Sequence, residues 1–200
     1  MQEAIEHLRR NDPVLSEIIG RVGDYDIQFR DPDLETLVKS IVYQQLSGRV
    51  ASVIFARLAQ AAGGRLTPES ILKLRPARMR ALGLSRQKTA YIRDLARHAR
   101  AGRVVFEELM ALDDGAVIER LTQVKGVGVW TVHMFLIFAL RRTDVLPIGD
   151  LGIRNAIRKA YGMPEPPTPA EIEAMAQRWR PYCTVASWYL WRSLEPNANL

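Results

Sequence analysis

The stretch Val124-Lys125-Gly126-Val127-Gly128-Val129-Trp130-Thr131 does most to limit what this chain can fold into. A partly apolar helical pattern leads into it. A longer apolar run, Met134 to Leu140, leaves it. Two glycines two residues apart permit positive φ and close approach of another group to the backbone. The segment is therefore predicted to be a tight hairpin between two helices. Backbone N–H groups that open the second helix would point outward and seat an anion such as a phosphate. By itself a Gly-x-Gly pair reads first as an ordinary turn that ends a helix. It is not a dinucleotide fingerprint, because no strand precedes it and the third glycine is missing.

Helical periodicity dominates elsewhere, and alternating strand patterns are scarce. Asp12-Pro13 and Asp31-Pro32 are predicted helix starts. After the second, Leu34, Leu37, Val38, Ile41 and Val42 form an i, i+3, i+4 stripe. Ser47, Thr67, Ser85, Asp113 or Asp114, Asp150 and Thr168 are further predicted caps. About ten helices with short connections follow, a compact all-α domain over residues 1–200. Within it, residues 35–145 are expected to form a central lobe, and the N-terminal segment with 146–200 a second.

The chain has 200 residues, 48% of them hydrophobic, and a net charge of +6. That balance favours an anionic partner, nucleic acid first. One cysteine, Cys183, excludes an internal disulfide, a cysteine-held iron–sulfur cluster and a cysteine-based zinc site. A cytoplasmic setting is expected. The N-terminus lacks the apolar core of a signal peptide. The longest apolar run is too short to span a bilayer, so no membrane is expected as a partner.

Downstream of the hairpin, Leu146-Pro147-Ile148-Gly149-Asp150 ends in a single acid. Asp150 reads as an N-cap, a position that favours the ionised carboxylate. A hairpin that grips DNA, followed by a lone acid, points to chemistry on DNA.

Several segments support that reading together. Leu121 to Leu140 resembles the helix-hairpin-helix motif of DNA glycosylases, and Asp150 falls where that superfamily keeps its catalytic aspartate. Leu37-Val38-Lys39-Ser40-Ile41-Val42-Tyr43-Gln44-Gln45-Leu46-Ser47 is similar to the family's early helix. Gly83-Leu84-Ser85-Arg86-Gln87-Lys88-Thr89 resembles its mid-chain turn. Trp179-Arg180-Pro181-Tyr182-Cys183-Thr184-Val185-Ala186 resembles a terminal segment of the alkylation-repair branch, the bacterial 3-methyladenine DNA glycosylase II type. The resemblance implies an all-α glycosylase fold with two helical lobes flanking an active-site cleft. It also implies a shortened form without the N-terminal β-rich domain of enteric-bacterial members.

The resemblance assigns roles residue by residue. Asp150 is the expected catalytic carboxylate. Trp130 and Tyr182 are the leading base-pocket residues, with Trp179 and His133 after them; core packing is the alternative for each. An electron-rich ring suits a cationic alkylated base. Lys125, Gly126, Val127, Gly128 and Thr131 are expected to grip the DNA backbone without reading sequence. Gln44, Gln45 and Leu46 lie at the DNA-probing turn. There the related enzyme has leucine where this chain has Gln45, so either Gln45 or Leu46 fills the gap left by a flipped base. The carbonyls of Thr122, Val124 and Val127 match a family site for a structural Na, K or Mg ion; no cofactor is required.

Bifunctional members carry a lysine in the slot held here by Trp130, and that amine forms a Schiff base with the sugar. Trp130 cannot, and Lys88 and Lys125 occupy other positions. The expected activity is therefore monofunctional. The expected partner is double-stranded DNA carrying alkylated bases, and the expected state is a monomer. Expected substrates are 3-methyladenine and 7-methylguanine, extending to 1-methyladenine, 3-methylcytosine or ethenoadenine. The alternatives are a non-catalytic helix-hairpin-helix DNA-binding module, a glycosylase for oxidised bases and a generic helical interaction protein.

Overall fold

The structure, a computed structural model, describes residues 1–194. These contain thirteen helices and no strand. In chain order they are α1 (Gln2–Asn11), α2 (Pro13–Val22), α3 (Leu34–Tyr43), α4 (Gly48–Ala61), α5 (Pro68–Lys73), α6 (Pro76–Ala81), α7 (Arg86–Arg100), α8 (Phe106–Leu109), α9 (Asp114–Thr122), α10 (Val129–Phe138), α11 (Leu151–Ala160), α12 (Pro169–Ala176) and α13 (Cys183–Leu194). No described helix is long and apolar enough to cross a membrane.

Local chemistry explains most boundaries. Each helix start leaves backbone N–H groups ahead of the helical ladder, and short polar side chains accept them. Asp12, Ser85, Asp113 and Asp150 each accept such a donor. Thr67 and Thr168 form reciprocal capping boxes with Ser70 and Glu171. One start differs from expectation: Asp33, not Asp31, caps α3 through the Thr36 N–H at 2.8 Å. Ser47 precedes α4 but its hydroxyl caps nothing.

The chain forms two compact units. One is Arg30–Phe135; the other combines Met1–Phe29 with the chain from Leu136 onward. In the central unit, α7 packs against α3, α5 and α6, and α3 also packs against α4. The stripe Leu37, Val38, Ile41 and Val42 is fully buried, as are Ile92, Leu95 and Ala96 of α7. Amphipathic spacing thus produces the core it implies.

In the other unit, α13 packs against α1, α2 and α11. Cys183 to Leu190 are all buried, including Trp188 and Tyr189. The same unit holds a polar hub. Asp12 is fully buried. Its Oδ1 accepts the N–H groups of Val14 and Leu15 at 3.0 and 3.1 Å. Its Oδ2 accepts the Trp179 indole N–H at 2.7 Å, the Arg178 guanidinium at 3.0 Å and the Tyr161 hydroxyl. A cap readable from two residues thereby ties α2 to the ends of α11 and α12. Burial, and after it the hydrogen bond that Tyr161 donates to Asp12, raise the pKa of the tyrosine hydroxyl.

Removing one partner from a buried, matched charge leaves the others unsatisfied, at a cost of about 3–5 kcal/mol. Asp12→Ala should therefore be among the most destabilising single changes in the chain, by about that amount. Urea unfolding of the variant beside the parent protein measures it.

Candidate active site and nucleic-acid interface

The hairpin lies between α9 and α10. Gly126 has φ +82°, a backbone conformation that suits glycine. A second constraint acts at the same position: a Cβ there would lie 2.1 Å from the Tyr91 ring. Gly128 differs, with no atom within 4 Å of an added Cβ and no positive φ. So the two glycines of the motif are not equivalent, and only Gly126 is sterically required.

The hairpin N–H groups are partly committed within the chain. Lys125 donates its N–H to Asp94 Oδ2 at 3.0 Å. Val127 donates to the Val124 carbonyl at 3.1 Å. The first rung of α10 runs from the Val132 N–H to the Gly128 carbonyl at 3.1 Å. The N–H groups of Val129 and Thr131 therefore lie ahead of the ladder, the geometry expected of an anion seat. Gly128 is exposed, Val129 and Trp130 are half exposed, and the Lys125 side chain faces solvent. Thr131 and Val127 are buried at 5% and 4% exposure. Thr131 is therefore not presented at the surface, contrary to its expected place in the DNA grip; Val127 offers only backbone. His133 is half-buried, and burial lowers its pKa against the opposing pull of Asp114.

Across a cleft of about 640 Å³ from Gly126 lies the turn between α3 and α4. Gln45 and Leu46 are both exposed on it, and Gln45 has φ +56°, uncommon for a residue with a side chain. Gln44 is not presented with them: its side-chain amide donates to the Gly126 carbonyl at 3.1 Å. The carbonyls of Thr122, Val124 and Val127 are uncharged hard oxygen donors on one short turn. That donor chemistry fits a weakly held cation better than a transition metal. No cluster of three His, Cys, Asp or Glu suited to a metal occurs among the described residues.

Asp150 belongs to the other unit. It is 9% exposed and caps α11, its Oδ1 accepting the Ile153 N–H at 2.8 Å. The same oxygen accepts the Trp191 indole N–H at 2.9 Å. Trp191 in turn stacks on Phe138 at 6.1 Å between ring centroids. Gly152 makes the approach feasible: a Cβ there would sit 2.9 Å from Asp150 Oδ1 and 3.1 Å from Trp191 Cδ1. By its i, i+3 spacing with Trp188, Trp191 reads as a core aromatic. Nothing in the local pattern signals its partner, which lies forty-one residues away.

Two other aromatic candidates are held differently. Trp179 is fully buried with its indole on Asp12, so it has no face for a base and is a core residue. Tyr182 is half-buried, its ring edge-on to that of His7 on α1 at 5.3 Å; burial raises the pKa of its hydroxyl, and Glu3 of the same helix adds to the effect.

The helical fold has counterparts among known proteins. The profile of HhH-GPD superfamily base excision DNA repair proteins matches residues 38–181, and the chain belongs to that superfamily. DNA-3-methyladenine glycosylase 1 of Schizosaccharomyces pombe is 36% identical over 194 residues, covering 94% of this chain and 85% of the relative. The solved structure of the S. pombe 3-methyladenine DNA glycosylase in complex with abasic DNA superposes with TM-score 0.85 at 34% identity, covering 98% of this chain and all of that one. The DNA-3-methyladenine glycosidase of Bacillus halodurans gives 0.87 at 36% identity, covering 96% and 89%.

Two glycine substitutions test the geometry. Gly126→Ala should destabilise the chain by roughly 2–4 kcal/mol, from overpacking against Tyr91 plus left-handed strain. Gly128→Ala should leave stability within about 0.5 kcal/mol of the parent; denaturant unfolding of the pair provides the comparison. Gly152→Ala should displace Trp191 from Asp150. The readout is the Trp191 indole N–H proton resonance, which should move and exchange faster with solvent while the other indole signals stay.

Proposed function

We propose that this protein is a monofunctional DNA glycosylase that hydrolyses the N-glycosidic bond of alkylated bases and leaves an abasic site. The observation that carries the reading is Asp150. It is a shielded carboxylate fixed by a helix start and an indole, in a chain whose similar relatives are named DNA-3-methyladenine glycosylases. Its two fixed donors orient the group before reaction, so little reorganisation accompanies charge development on the sugar. The base leaves with the glycosidic electron pair, water adds to the sugar carbon, and the carboxylate stabilises the cation or takes the water proton. A base made cationic by alkylation departs neutral, so a strong general acid is not needed.

Trp130, half exposed beside the hairpin, supplies a ring for stacking on such a base; Trp191 is a second aromatic group, placed at the carboxylate itself. The expected substrates are 3-methyladenine and 7-methylguanine, with 1-methyladenine, 3-methylcytosine and ethenoadenine as a wider range. The hairpin grips duplex DNA through its backbone and Lys125, and Gln45 or Leu46 fills the vacated stack. Carbonyls of Thr122, Val124 and Val127 would hold a cation that screens a phosphate; base release does not pass through it. Lyase chemistry is disfavoured by Trp130 in the lysine slot. It is disfavoured also by Lys88, whose ammonium is engaged by two carbonyls.

Base release from duplexes carrying each lesion tests the proposal, with Asp150→Asn as the decisive variant. Asparagine keeps an oxygen for the Ile153 N–H and the Trp191 indole, so folding and DNA binding should persist. Base release should drop on the order of a hundredfold or more. Unchanged release would reduce Asp150 to a cap and sink the mechanism. Borohydride should trap no covalent protein–DNA adduct.

A further inference from the structure

One face of α7 carries three anchors at successive turns. Lys88 Nζ donates to the Val42 carbonyl at 2.7 Å and the Gln44 carbonyl at 2.6 Å. Tyr91, three residues on, packs its ring where Gly126 leaves room. Asp94, a further turn along, accepts the Lys125 N–H. The first contact holds the turn after α3, and the other two hold the hairpin. Gln44 closes the circuit with its bond to the Gly126 carbonyl. All these residues lie in the central unit.

The lysine contact has a clear physical purpose. The last carbonyls of a helix have no partner in the ladder and carry its negative dipole end. The Tyr43 carbonyl finds the Leu46 N–H at 3.3 Å, while those of Val42 and Gln44 both take the Lys88 ammonium. The next residue, Gln45, is in the left-handed region. A residue with a side chain is strained there, so the conformation persists only where surrounding contacts enforce it. Here the enforcing contacts are those of Lys88 and Gln44. They present Gln45 and Leu46 outward on a turn fixed in register with the hairpin.

We infer that Lys88 is a positioning residue for base flipping: its clamp on Val42 and Gln44 keeps the probing turn rigid relative to the hairpin, so that Gln45 and Leu46 enter the duplex when the backbone is gripped. The inference rests on the glycosylase reading above. It predicts a defect specific to extracting a base from an intact stack, because only there must the turn offset unstacking. A lysine that merely bound phosphate would weaken binding to every substrate and lower its salt dependence.

The test compares Lys88→Met with the parent on two duplexes carrying the same lesion. In one the lesion faces a full complementary strand; in the other it sits in a single-nucleotide bulge. Release from the paired duplex should fall on the order of tenfold, while release from the bulge stays close to parental. Lys88→Arg, which keeps charge and donors, should recover most of the loss. Equal losses on both duplexes, or no loss on either, would overturn the inference. A 2-aminopurine beside the lesion gives a readout independent of catalysis: its fluorescence rise on protein binding should be smaller with Lys88→Met. If the parent protein releases no base at all, the glycosylase reading fails. The fluorescence comparison then decides on Lys88 separately, with equal rises counting against it.

Discussion

A buried carboxylate must be matched by donors, and the unit built from the two ends of the chain depends on meeting that requirement twice. Asp12 and Asp150 are both buried caps. Both accept backbone N–H groups that the helix start leaves over and an indole N–H from far along the chain. The helix α11 connects them. It begins at Asp150, and the tyrosine that follows its last residue, Tyr161, reaches Asp12. Both ends of the element capped by Asp150 are therefore fixed by charge-assisted hydrogen bonds, which are stronger than neutral ones. The chemistry assigned to Asp150 draws on the same interactions that hold the unit together.

The central unit meets a different constraint, close approach. Gly126 can sit against Tyr91 only because it has no side chain, and the hairpin is consequently seated on α7. Backbone groups exposed by that seating are then shared out: the Lys125 N–H to Asp94, the Gly126 carbonyl to Gln44, the helix-start N–H groups of α10 left ahead of the ladder. The hairpin's donors are thereby held in fixed positions, and α7 supplies the fixture.

Much of this was legible residue by residue. Asp12, Ser85, Asp113 and Asp150 cap the helices they precede because capping depends on a side chain and the N–H two or three residues on. The Leu37, Val38, Ile41 and Val42 stripe is buried because a helix has one inner face. The helix-hairpin-helix motif and the acid beyond it were recognisable for the same reason: both are short, contiguous patterns. Aromatic roles were not legible. Trp179 and Trp191 both carry an indole N–H and both lie near the C-terminus, yet one serves Asp12 in the core and the other Asp150. Thr131 follows the exposed Trp130 directly and points inward, since adjacent helical residues face different ways.

The sequence by itself determined the helical class, the capped starts, the hairpin and the single acid placed after it. These follow from interactions that span a few residues. Only the tertiary structure decided that Trp191 holds Asp150, that Gly126 but not Gly128 is sterically required, and that Lys88 braces the turn after α3. Each of these joins residues tens of positions apart. Such pairings are set by how helices pack and by which buried polar groups must find partners, and no local pattern encodes that choice.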